Sequence, residues 1–154
     1  TMSTLVLEMR PGDMMVVNGA PIRFRNRVRI ELAAKARFLF GKQLMAPEAA
    51  TTPARRIYFA LQTAYIGTEE ERACGLTAAR GLIDEFQQAT TSPQARALLA
   101  EALGLAEADD CYRALRLARR VMQHEAEVLG LAPPEAPRAE LRGREAALPV
   151  AGDG

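Results

Sequence analysis

Met45-Ala46-Pro47-Glu48-Ala49-Ala50-Thr51-Thr52-Pro53-Ala54-Arg55-Arg56-Ile57-Tyr58-Phe59-Ala60-Leu61-Gln62 is the stretch in which the chain changes its period. Before it, apolar residues come in short runs cut by turn residues. After Pro47 they recur at three- and four-residue spacing, the signature of a helix with one buried side. Thr52 supplies a capping oxygen, and Pro53 suits the first helical position, where a backbone N–H has no helical partner in any case. Ala54, Ile57, Tyr58, Leu61 and Tyr65 then form one stripe, which Gly67 stops. The boundary predicts an antiparallel β region over residues 1–46 and a helical region over 47–131, packed together as one unit.

Towards the N-terminus the runs read as strands. Leu5-Val6-Leu7 leads into Arg10-Pro11-Gly12-Asp13, with Pro and Gly at the centre as a type II turn requires. Met14-Met15-Val16-Val17 is followed by Asn18-Gly19, whose residues both tolerate positive φ and so mark a tight hairpin. Pro21 cannot donate a ladder hydrogen bond, so the strand it opens belongs at an edge. Val28 to Leu32 and residues 36–40 supply further strands, and the whole predicts a twisted antiparallel meander of four to five strands.

Towards the C-terminus the pattern predicts a bundle of about four helices, giving an α+β fold. Thr68-Glu69-Glu70-Glu71 is a capping box that opens a helix carrying Leu76, Leu82, Ile83 and Phe86. Ser92-Pro93 opens a shorter helix with Ala95, Leu98, Leu99 and Ala102, closed by Gly104. The last helix runs from about Asp109 to Leu129, with Cys111, Leu115, Ala118, Met122 and Leu129 on one stripe and Gly130 as its stop. Residues 132–154 read as a flexible, Pro-rich tail, in which 138–148 form a helix only transiently or on a partner.

The 154 residues suffice for one ordinary core without metal or disulfide staples. Aromatics make up only 5%, with no Trp, so aliphatic side chains and Ala must do most of the packing. No apolar run approaches the ~20 residues that span a bilayer, and no signal-peptide order opens the chain. Two isolated cysteines, Cys74 and Cys111, fit small buried hydrophobes in a reducing compartment. A cytoplasmic protein with no membrane partner is the expectation.

Chemistry has little to stand on. His124, the single histidine, falls on the outer side of the last helix, and it forms no zinc-ligand spacing with Cys74 and Cys111. Neither a phosphate-cradling glycine run nor a G-x-S-x-G elbow occurs. Glu107, Asp109 and Asp110 sit where a helix begins, and capping explains them. The expectation is a binding protein with no enzyme activity, cofactor or metal.

Charge is more informative. Through Arg56 the chain carries ten Lys/Arg against four Asp/Glu, and from Ile57 onward ten against fifteen, so +1 overall conceals +6 and −5. Arg23, Arg25, Arg27 and Arg29 alternate with Ile22, Phe24, Val28 and Ile30, and residues two apart share a strand face if Asn26-Arg27 keeps register. Guanidinium groups bind phosphate bidentately, so this face suits a nucleic-acid backbone. An amphipathic strand pair with a solvated outer side gives the same pattern. Arg113, Arg116 and Arg120 are a second candidate. Arg55 and Arg56 either contact phosphate or pair with an acid such as Glu31 or Glu48 to pin the helix to the sheet.

Three segments carry a resemblance. Arg10-Pro11-Gly12-Asp13 with Val16-Val17-Asn18-Gly19-Ala20 and Ile22-Arg23, the Met45–Gln62 stretch, and Tyr112-Arg113-Ala114-Leu115 with Glu125 and Leu129 are similar to the FlbT family of flagellin-expression regulators. The resemblance covers roughly residues 4 to 130. It implies a post-transcriptional regulator that binds the 5′ untranslated region of flagellin mRNA, limits its translation and promotes its decay. It also implies partnership with flagellin or a flagellin companion factor, and no catalytic residues. RNA contact would then fall to Arg23, Arg25, Arg27, Arg29, Arg55 and Arg56. The competing class is a protein-interaction module in the helical half, with indirect effects on mRNA. Open strand edges add a homo-oligomer to the expectations.

Overall fold

The computed structural model describes residues 5–32 and 36–132. Among these, strands β1 (Leu5–Met9), β2 (Met14–Val17), β3 (Ala20–Arg23), β4 (Val28–Leu32) and β5 (Phe38–Phe40) precede helices α1 (Pro53–Ile66), α2 (Glu69–Ala89), α3 (Pro93–Glu107) and α4 (Cys111–Leu129). Short 3-10 turns at Gly41–Gln43 and Pro47–Ala49 join the two halves. This is the α+β class that the sequence predicts. The reading of residues 133–154 as a tail lies outside the described residues.

The local turn chemistry holds. Gly12 has φ +88°, and Asp13 N–H donates to Arg10 O at 3.0 Å. Asn18 and Gly19, at φ +50° and +87°, close the β2–β3 hairpin, with Val17 opposite Ala20. β3 is an edge strand, as Pro21 requires. The remaining pairings do not follow chain order. β5 takes the other edge of β2, and β4 pairs with β1 from Leu5↔Leu32 to Met9↔Val28, so the strands form sheets β3-β2-β5 and β1-β4 in place of a sequential meander. The reason is burial. β1 and β4 each place three apolar residues on one side, and pairing them closes a ribbon over Met15, Phe38 and Phe40 in a core of their own.

β5 joins that core to the helices. It is buried on both faces: Phe38 and Phe40 enter the strand core, and Leu39 enters the helical one. α1 is central among the helices and buries Ala54, Ile57, Tyr58, Leu61 and Tyr65, the whole predicted stripe. Gly75 of α2 lies so close to α1 that a Cβ there would sit 2.7 Å from Ala64 N. The first-turn caps also form: Thr68 and Glu71 make the reciprocal box on α2, and Ser92 Oγ accepts from Ala95 N–H on α3.

Several details differ from expectation. Gly104 does not end α3, which continues to Glu107, because the chain reverses at Asp109, the residue with φ +65°. Leu129 is exposed, as is Val128 in the same last turn of α4. Cys111 is buried but Cys74 is exposed on α2. Asp110 takes the N-cap position of α4 without a side-chain capping bond, and the acids at the α3–α4 turn are ion-pair partners. Glu107 Oε2 accepts from Arg80 Nε at 2.6 Å, Asp110 Oδ2 from Arg113 Nη1 at 3.2 Å, and Asp109 from Arg37 at 3.2 Å. The Arg37 side chain is only 12% exposed, and it ties the strand half to the α3–α4 turn.

Candidate nucleic-acid interface

The six arginines singled out in the sequence do not lie on one strand face. Arg23 ends β3, Arg25 and Arg27 lie in the connection that crosses between sheets, and Arg29 lies on β4. All four are exposed. The uniformly basic strand face is not formed, because β3 and β4 belong to different sheets. The outer side of the β1–β4 ribbon carries Arg29 directly opposite Glu8 and Glu31 opposite Val6, a mixed surface. Arg27 reaches Glu8 at 3.7 Å with both side chains largely exposed, a pair of little energetic weight. Arg55 and Arg56 point apart, as adjacent helical residues do. Arg56 is exposed beside a groove of Pro53, Leu82, Glu85, Phe86 and Ala89, whereas Arg55 is half-buried and lines a cleft on the other side of α1. Among the described residues neither guanidinium pairs with Glu31 or Glu48.

The cleft that holds Arg55 is one of two that meet at Tyr58 and Arg119. The first, about 350 Å³, runs along α4 between Arg113, Arg116, Arg120 and Gln123, with Glu101 and Leu105 of α3 on its far side. The second, about 580 Å³, lies between Lys42, Met45, Arg55 and the turn at Asp13. Both have Arg119 and Tyr58 in their walls.

The floor of this groove is held by polar side chains that span the two halves. Arg119 stacks its guanidinium 5.3 Å from the Tyr58 ring centroid and donates to Lys42 O at 3.1 Å. Tyr58 Oη donates to Gln43 O at 2.6 Å, and Gln43 Nε2 donates to Tyr112 Oη at 3.2 Å. Gln62 brackets Met45, accepting from its N–H at 2.8 Å and donating to its carbonyl at 3.0 Å. The buried glutamines Gln43 and Gln62 are thus satisfied, and residues 42–45 are fastened to α1 and α4. Glu125 of α4 fastens the start of α1 in the same way. It accepts from Ala54 N–H at 2.9 Å and from the Thr52 hydroxyl at 2.5 Å, while Thr52 itself accepts from Arg55 N–H at 3.2 Å.

Arg113, Arg116 and Arg120 stand at i, i+3 and i+7, so one exposed side of α4 carries all three beside the buried stripe of Cys111, Leu115, Ala118 and Met122. Lys42 and Arg119 were not singled out in the sequence. Arg119 was detectable only as a charged residue at the margin of that stripe, where a long stem can lie on apolar surface and keep its head outside. Burial pushes the Cys111 thiol up to about 11, with Asp109 adding to the effect, so at neutral pH it is a protonated core residue and no nucleophile. Among the described residues no group of His, Cys, Asp and Glu is arranged to hold a metal, and no helix is long and apolar enough to cross a membrane.

Residues 5–129 match the profile of the family described as flagellar protein FlbT. The chain belongs to the FlbT family. One FlbT relative, the probable flagellum biosynthesis repressor protein of Brucella anthropi, is 32% identical over 146 residues, covering 93% of each chain. The flagellum biosynthesis repressor protein FlbT of Caulobacter vibrioides is 33% identical over 136 residues, covering 82% of this chain and 89% of its own. No solved structure gives a significant match. The described residues that line the groove all fall within the matched segment.

Proposed function

We propose that this FlbT protein represses flagellum synthesis after transcription, by binding the 5′ untranslated region of flagellin mRNA in the cytoplasm, limiting its translation and promoting its decay. The observation that carries this reading is the extent of the likeness: relatives named flagellum biosynthesis repressors match along nearly the whole of both chains. The solvent-facing Arg23, Arg25 and Arg29 and the basic groove on α4 add support, since exposed guanidinium groups attract a polyanion and release its counterions. On this reading the protein makes and breaks no bonds, and its effect scales with occupancy of the transcript.

The test has two parts. Purified full-length protein should retard flagellin leader RNA in a mobility-shift titration, and deleting its gene should raise a translational fusion to that leader. A leader that migrates unchanged while the fusion still responds would move the effect onto a protein partner. One observation favours that second reading, docking of flagellin or its companion factor on the helical half. The groove beside Arg56 is largely apolar, lined by Pro53, Leu82, Phe86 and Ala89.

A further inference from the structure

We propose that the groove where α4 meets the 42–45 segment, carrying Lys42, Arg55, Arg113, Arg116, Arg119 and Arg120, binds the phosphodiester backbone of single-stranded RNA. This inference rests on the RNA-binding reading above and gives it a location that differs from the strand arginines.

Positive charge is concentrated in this groove. From Ile57 onward the chain is acidic, with ten basic against fifteen acidic side chains, yet four of those ten basic residues line this one groove. Lys42 and Arg55 join them from the other half. Among the described residues two acids, Glu101 and Asp13, share the walls, and Asp110 pairs with Arg113 at 3.2 Å. Asp13 already serves its turn, accepting from Arg10 N–H at 2.8 Å. A cleft lined by one sign of charge focuses its field outward, and an anionic polymer gains more from it than a single small anion does.

The groove also has the shape and the held side chains that a strand of phosphates needs. Arg113, Arg116 and Arg120 climb one side of α4 with Cβ steps of about 5–6 Å, a ladder of planar donors that suits a run of phosphates. Arg119 is held at the junction of the two clefts by Tyr58 and the Lys42 carbonyl, so the strip continues from one cleft into the other. A concave channel between a helix and a loop accepts one strand more readily than the convex cylinder of a duplex.

The chemistry of the walls suits the RNA backbone better than its bases. Single-stranded bases are usually held by stacking on open aromatic faces. Here Tyr58 is 2% exposed and Tyr112 7%, and their hydroxyls are engaged within the protein. Among the described residues the groove offers guanidinium groups and no open aromatic platform. It is a backbone site, and choice among sequences falls to other surfaces.

The test is a filter-binding salt titration of full-length protein with a labelled single-stranded oligonucleotide from the flagellin leader, the same oligonucleotide in a duplex, and a polyglutamate peptide. Arg113→Gln/Arg116→Gln/Arg120→Gln should weaken single-strand binding about tenfold or more. It should also make the slope of log K against log salt shallower by about 2, at ~0.7 for each phosphate no longer neutralised. The matching Arg→Lys triple should keep the slope. Arg23→Gln/Arg25→Gln/Arg29→Gln should leave most of it. Ultraviolet crosslinking of the unmodified protein should map to residues 111–123 or 41–46, which keeps the proposal falsifiable even if a triple variant misfolds. An unchanged slope in the α4 triple, or crosslinks confined to the strands, would overturn the groove and leave RNA binding intact. Wild-type protein that binds no RNA would sink both readings. Equal affinity for duplex, or tighter binding of polyglutamate, would overturn the single-strand assignment.

Discussion

Arg119 on α4 is fixed by a tyrosine ring and a backbone carbonyl, whereas Arg29 on β4 stands opposite Glu8 on an open ribbon face. The contrast extends across the two halves. Arg37, Arg80 and Arg96 are each engaged with a carboxylate or carbonyl belonging to or packed against the helices. Among the described residues, the one ion pair made by Arg23, Arg25, Arg27 or Arg29 is the long contact from Arg27 to Glu8. Arginines are denser along the strands, but the prepared geometry is in the helices. A local run of charge measures what a segment exposes. A binding site also needs concavity and side chains held in place before the ligand arrives.

The comparison is most severely tested at Leu39, where the two halves meet. Its side chain is wholly buried in the helical core while Phe38 and Phe40 enter the strand core. Leu39→Ala should lower stability by about 3 kcal/mol through lost transfer energy and an unfilled cavity. Ile22→Ala, on the exposed edge strand, should cost less than about 0.5 kcal/mol. Urea unfolding followed by circular dichroism would measure both. Two separate transitions in the Leu39 variant would show that the halves fold apart and that β5 is not their common element.

Much of this arrangement was legible in the sequence because its signals are local. Turn residues with positive φ at Gly12, Asn18 and Gly19, the caps at Thr52, Thr68 and Ser92, and the α1 stripe each depend on a few neighbouring residues. Strand order was not legible. Pairing β1 with β4 depends on which apolar faces need covering once all strands are present, and hairpin signals carry no record of that. The missing strand face was hidden for the same reason. Alternating arginines share a face only if their strands share a sheet, and here the crossing at Arg25–Arg27 separates them. Arg119 and Lys42 are 77 positions apart, and no period links them. Glu125, quoted in the resemblance, has its reason in a helix start 71 positions away.

That distant contact gives the next test. Glu125→Ala would strip the Ala54 N–H and the Thr52 hydroxyl of their carboxylate acceptor in a partly buried place. The expected loss is about 2 kcal/mol, within the range for hydrogen bonds to a charged group. A double-mutant cycle with Thr52→Ala should show coupling of about 1 kcal/mol, because the same hydroxyl caps α1 and donates to Glu125. Additive effects would mean that the cap and the carboxylate act independently, and that α4 does not hold the start of α1.

The smallest effect belongs to the strand arginines, and it decides what they are for. Arg23, Arg25 and Arg29 are exposed, and none is engaged by an ion pair among the described residues. Replacing all three with Gln should change stability by no more than about 0.5 kcal/mol, as surface substitutions away from specific contacts do. A melt at low and at high salt would check this. If the arginines served the fold through long-range attraction to the acidic helical half, the variant would be less stable at low salt and match wild type at high salt, where screening acts within about 3 Å at 1 M. If they are simply solvated, the two curves stay parallel at every salt concentration. Parallel curves would leave ligand attraction as the remaining use for three unpaired cations on the surface, and would turn the comparison between the halves into a division of labour: strands that gather a polyanion, and a groove that holds it.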